Sequence, residues 1–250
     1  MTAAMAASGA MRAAVPAQRA RTEPRLAPAD AAQILLGWQR NARSTLQWLH
    51  RDWLALALGI ERVTRMDEAL AALRERCDEA CSLAVLRVLL PKPPNLDTFS
   101  IAPATRLDAL PVETGLRVLR MQALLARRAE VRRLVDRTTR KRLAEWIGCP
   151  LDDLLLKAVP EAPSLTDAKR EGAGTRALGS LDADALALEG LALLPVTDMH
   201  RMMLRFALPR EDDAQSAVNA QPSEEECEGT FALLRERIRP LMPEAAWLSG

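Results

Sequence analysis

The sequence predicts an all-α protein, an irregular multi-helix globular domain with long loops, on three observations. Ala (44) and Leu (41) supply about a third of the 250 residues, and both lose little entropy in a helix. Ile, Val, Phe, Trp and Tyr, the residues that favour strands, number only 24 together. Apolar residues recur at helical spacing between clusters of Pro, Gly and charge. Helix is therefore expected to exceed half of the chain and strand to stay below about a tenth. The apolar content of 49% is enough for a core and excludes wholesale disorder. A net charge of +1 makes the chain neither acidic nor basic overall. No uncharged apolar run approaches the roughly 18 residues that a bilayer span needs, so no membrane span is expected.

Residues 1–28 hold four arginines, one acid (Glu23) and no apolar core between the charges. They predict a disordered Ala/Arg/Pro-rich arm rather than a secretory signal. The helical domain is expected over 29–250, with 29–94 and 115–250 as its natural subdivision. Its first helical stretch begins near Pro28 with Asp30 as N-cap and carries Ile34, Trp38, Leu46, Trp48, Trp53 and Leu58 on its apolar side. Three tryptophans within sixteen residues read as packing volume rather than a ligand platform. A second helix is predicted over 66–90 and is stopped by Pro91-Lys-Pro-Pro94. Residues 95–115 read as an irregular connection. A long helix then runs from Leu116 to Ile147, closed by Gly148 and Pro150. Beyond it come a short helix (151–158), a glycine-bearing loop (160–180) and helices over 181–194 and 197–207. Residues 209–228 carry seven acids against Arg210 alone and read as a solvated acidic linker. A final helix over 229–239 leads to a closing segment expected to dock with Trp247 buried.

Sequence chemistry points away from an enzyme, with no catalytic, cofactor or metal residues assigned and no small-molecule substrate. Four cysteines are too few for a disulfide scaffold, which favours a reducing compartment. Cys77 and Cys81 share a helical face, but no second pair stands at zinc-ligand spacing. Gly172-Ala-Gly174 lacks the strand and the Gly-Lys-Ser/Thr of a phosphate loop. Asp152/Asp153 and Asp182/Asp184 fall at predicted helix starts, where carboxylates complement the dipole. His50 and His200 have no partner that the sequence identifies.

One stretch is unusual. Residues 117–142 hold nine arginines and Lys141 against Glu130 and Asp136, a net +8 on what reads as one helix. Apolar positions from Leu124 to Ile147 take one face, while Arg127, Arg128, Arg132, Arg133, Arg137 and Arg140 crowd the rest. These six are the candidate partner-binding residues for something acidic, a protein first, with nucleic acid or anionic lipid as alternatives. No aromatic interleaving accompanies the charge, which disfavours nucleic acid. The competing reading is a solvated face balanced by the acids of 209–228.

The run Gly115-Leu-Arg-Val-Leu-Arg-Met-Gln-Ala-Leu-Leu-Ala-Arg-Arg-Ala-Glu-Val-Arg-Arg-Leu-Val-Asp136, with Leu143-Ala-Glu-Trp-Ile-Gly148, resembles the K component of bacterial type III secretion systems. That is the SctK family, in its Hrp-type branch. Leu186–Leu194, Leu204–Arg210 and Met242–Gly250 are similar in the same order, and Trp38–Trp53 fits the same pattern. The resemblance implies a non-enzymatic cytoplasmic adaptor of the sorting platform, held at the inner membrane through the secretion complex. It also implies two partners, the cytoplasmic domain of the D-type ring protein and the Q-type pod protein. A helical nucleic-acid-binding regulator using helix 117–142 is the alternative function.

Overall fold

The computed structural model describes residues 26–59, 63–155, 177–195, 202–210 and 223–243, together with Ala245 and Trp247. Every regular element among them is helical, so the chain is mainly α. The predicted arm up to residue 25, most of the glycine-bearing loop and His200 lie outside the described residues.

The first predicted helical stretch divides into α1 (Pro28–Arg43), α2 (Thr45–Trp48) and α3 (Arg51–Leu58). Pro28 opens α1, where a missing N–H is harmless. Ala27 is the N-cap, so Asp30 does not cap as expected but lies in the first turn and complements the dipole. His50 caps α3, its ring nitrogen accepting from the Asp52 N–H at 3.3 Å. Helix α4 (Val63–Leu89) ends just before Pro91, as the proline run predicts.

The connection over 95–115 is more regular than its prolines suggest. Asn95 accepts from the Thr98 N–H at 2.9 Å and caps α5 (Leu96–Ile101). A 3-10 segment (Pro103–Ala109) follows, and α6 (Val112–Ala126) starts four residues before Leu116. The chain continues through α7 (Arg128–Arg133), α8 (Arg137–Ile147), α9 (Leu151–Leu155), α10 (Ala183–Ala192) and α11 (Glu224–Leu241). In place of the helix expected over 197–207, the described part forms a 3-10 segment, Met203–Ala207. Glu224–Glu228, expected in the acidic linker, belong to α11 instead, and residues 211–222 of that stretch lie outside the described residues.

Helix α6 is the axis of the core. Val118, Leu119, Met121, Ala123 and Leu124 have no exposed surface, and Leu186, Leu234 and Val131 close round them. Its closest neighbour is α10, and Gly190 sets that approach: a Cβ there would lie 1.8 Å from the Leu119 carbonyl oxygen. Gly37 does the same for α1, where a Cβ would meet the Ala109 carbonyl oxygen at 2.1 Å. Beside Gly37, the buried Asn41 amide donates to the carbonyls of Asp108 (2.8 Å) and Leu110 (2.5 Å).

The tryptophans pack as expected. Trp38, Trp48 and Trp53 flank a cluster of Ala42, Leu86, Leu90, Met203 and Phe206. Trp53 donates to the Leu208 carbonyl at 2.9 Å and meets Phe206 edge-on at 5.2 Å, with the Arg205 guanidinium 5.3 Å from its ring centre. The turn at Met203 is held by Asp108, whose carboxylate oxygens accept from the N–H groups of Met203 (2.7 Å) and Leu204 (2.9 Å). Burial pushes the Asp108 carboxyl up to about 7, against those two donors. Of the closing segment, the described Ala245 is fully buried, but Trp247 is half-buried rather than buried. It lies over both the main core and the Ile34–Phe99–Ala109 cluster.

Candidate docking surface

The basic stretch is not one helix. It bends at Arg127, which leaves helical geometry as the cap between α6 and α7, and it breaks again at Leu134–Asp136 before α8. The second break has a local cause. Asp136 accepts from the N–H groups of Thr138 (3.1 Å) and Thr139 (2.9 Å) and from the Thr139 hydroxyl, so it starts a new helix. Those hydrogen bonds, the Thr139 hydroxyl first, hold the Asp136 carboxyl below its usual range. The sequence signal was Asp-Arg-Thr-Thr139, an N-cap followed by β-branched residues, set within an otherwise helical pattern.

The bend and the break sort the arginines. Arg127 is buried and spent within the fold: its guanidinium meets Glu130 at 2.7 Å and Glu189 of α10 at 3.1 Å. Arg120 is buried as well. It donates to Glu113 (3.0 Å) and to the carbonyls of Trp146 (3.2 Å) and Ala183 (3.2 Å), tying α6 to α8 and α10. Arg142 donates to the Gly179 carbonyl at 2.8 Å and lies over the Trp146 ring, and Arg117 stands 3.6 Å from Glu113. Arg140 pairs with Asp152 of α9 at 2.7 Å. Four of these five, all but Arg142, have acid partners, and those acids, Glu113, Glu130, Asp152 and Glu189, all lie outside 209–228, so the balance expected from the acidic linker is not the one these pairs use.

What reaches solvent is the α7–α8 corner. Arg132, Arg133 and Arg137 are exposed, Arg128 is half-buried, and Lys141 stands 3.9 Å from Glu145. Of the six predicted docking residues, the fold thus keeps Arg132, Arg133 and Arg137 on one exposed corner, sets Arg128 and Arg140 at its edge, and removes Arg127. Arg132 and Arg140 line a shallow cleft of about 330 Å³ with Asp152 and Leu155. Such a surface presents guanidinium donors suited to carboxylates.

The other features noted in the sequence have structural roles where they are described. Asp182 caps α10, accepting from the Ala185 N–H at 2.7 Å. Asp152 and Asp153 lie in the first turn of α9. Cys81 and Cys149 are free and half-buried, Cys227 is buried, and burial pushes the Cys149 thiol up. Among the described residues no three His, Cys, Asp or Glu side chains gather as a metal site, and no helix is long and apolar enough to cross a membrane.

A family model described as bacterial type III secretion protein (HrpB4) matches residues 26–244. No curated protein matches the chain, and no solved structure does.

Proposed function

The chain belongs to the HrpB4 family of bacterial type III secretion proteins, and on that premise we propose that it is a non-enzymatic adaptor of the sorting platform. In this reading it works at the cytoplasmic face of the inner membrane. There it bridges the cytoplasmic domain of the D-type ring protein to the Q-type pod protein. Family membership across almost the whole chain is the observation that carries it. The exposed basic corner supports it, because Arg132 and Arg137 place cations on the surface, where a bridging protein needs to attract a partner. The docking residues are Arg132, Arg133 and Arg137, with Arg128 and Arg140 at the edge. The nucleic-acid alternative drew on a continuous basic helix over 117–142, and the bend at Arg127 and the break at Leu134–Asp136 weigh against it.

Co-purification of the chain with the ring domain and the pod protein tests the reading. The wild type is expected to capture both in one complex. Reversing Arg132 and Arg137 to Glu places like charges against an acidic partner, which costs several kcal/mol. That variant is expected to lose at least one partner while melting near the wild type. A wild-type chain that captures neither protein refutes the adaptor.

A further inference from the structure

We propose that Val135 at the α7–α8 corner is the apolar anchor of the interface, seated in a pocket on an acidic protein partner whose carboxylates pair with Arg132 and Arg137. This deepens the adaptor reading and rests on it. Among the described residues Val135 is the most exposed large apolar side chain, at 88%. The neighbouring chain does not leave it loose. Val131 is fully buried and Leu134 is packed against the main core, which fixes the chain on one side. On the other side the Asp136 carboxylate is engaged by Thr138 and Thr139 at the start of α8. Val135 is therefore held out into solvent by two anchored neighbours, a pre-organised position for a contact residue.

Charge selects the occupant. Exposed arginines at 132 and 137 bracket the valine, and the adjoining carboxylate, Asp136, is committed to its own helix. The cleft beside α7 adds to this. Its Arg140 is already neutralised by Asp152 at 2.7 Å, so Arg132 supplies the remaining positive charge there. An apolar centre ringed by charge is the anatomy of a protein interface, in which the core contact supplies affinity and the rim supplies selection. Nucleic acid has the charge to meet the arginines, but the phosphate backbone that would do so offers no apolar pocket for a valine beside them.

The test measures binding of the full chain to the purified ring domain and pod protein at low and high salt. Valine burial predicts that Val135→Ser weakens one of the two complexes by about ten- to a hundredfold at both salt concentrations. Arg132→Gln with Arg137→Gln is expected to weaken the same complex and to flatten its salt dependence. Both variants are expected to melt like the wild type. If Val135→Ser binds both proteins as the wild type does, the anchor is overturned while the adaptor stands. If it melts several degrees lower, Val135 packs within the fold and the proposal fails as well. A wild type that binds neither protein overturns the adaptor and this inference with it. Duplex DNA held by the wild type, lost with the arginines and indifferent to Val135→Ser, would reassign the corner to nucleic acid.

Discussion

Asp108 offers the sharpest test of how this fold is held together. Its carboxylate is buried and accepts from the Met203 and Leu204 N–H groups, at the point where the 3-10 segment joins the tryptophan cluster to the core. Asp108→Ala leaves two buried donors without an acceptor, at about 1–3 kcal/mol each. A loss of roughly 2–6 kcal/mol is a large part of the 5–15 kcal/mol typical of a folded protein. Asp108→Asn keeps one acceptor and turns an NH₂ toward the other donor, so it loses about half as much. The pH dependence is more diagnostic. Burial pushes the carboxyl from 3.8 up to about 7, so between those values the folded chain keeps a proton that the unfolded chain has released. Its contribution to stability is then complete below pH 3.8, falls as pH rises, and is gone above about 7. Over about three pH units the change is on the order of 4 kcal/mol. Asn does not titrate, and the other carboxylates act alike in both proteins. The wild type should therefore lose about that much stability relative to Asp108→Asn between about pH 4 and about pH 8, enough to reverse an advantage of roughly 1–3 kcal/mol at the acid end. Urea denaturation followed by far-UV circular dichroism across this range measures the difference. A difference that stays constant, or that moves in favour of the wild type as pH rises, would show that the N–H donors outweigh burial and keep Asp108 ionised.

Three further outcomes are expected. Gly190→Ala drives a Cβ into the Leu119 carbonyl and should destabilise by about 1–3 kcal/mol despite the better helix propensity of alanine, read as a lower urea midpoint. Trp247→Ala removes a half-buried ring lying over two clusters and should lower stability by roughly 1–3 kcal/mol, visible as a lower melting temperature. Arg127→Met strips the buried partner from Glu130 and Glu189, both partly solvated, and should cost about 2–3 kcal/mol in a thermal melt.

Fold class and most helix locations could be read from the sequence because they depend on local residues. Pro91 and Gly148 stop helices by their own backbone restrictions, Gly148 with a φ of 74°. The short elements were missed where one polar side chain outweighed composition. Asn95 and Asp136 each start a helix by accepting from an N–H two or three residues ahead, and both signals are single residues in stretches read for their neighbours. Met203–Ala207 was misread for a different reason. Its capping carboxylate, Asp108, comes from ninety-five residues earlier in the chain, a distance at which local pattern carries no information.

The arginines show why a charge count overstates a binding site. All nine arginines from Arg117 to Arg142 look alike in sequence, and a solvated face and a docking surface share that composition. Burial separates them: Arg120 and Arg127 are enclosed, with carboxylates that arrive from Glu113, Glu130 and Glu189. Removing Arg127 leaves the half-buried Glu130 and Glu189 without their cation, and removing Arg120 frees the carbonyls of Trp146 and Ala183, so either loss appears in the melting curve. Arg132 and Arg137 stand in solvent, where an ion pair contributes about 0–1 kcal/mol, so their loss leaves the melt unchanged. The two kinds therefore part company in a paired experiment. Arg127→Met should lower stability and weaken partner capture only as far as it unfolds the chain. Arg132→Gln with Arg137→Gln should leave stability alone and act on capture directly. If both variants lowered the melting temperature equally, the exposed corner would be part of the scaffold, and the docking surface would have to lie elsewhere on the molecule.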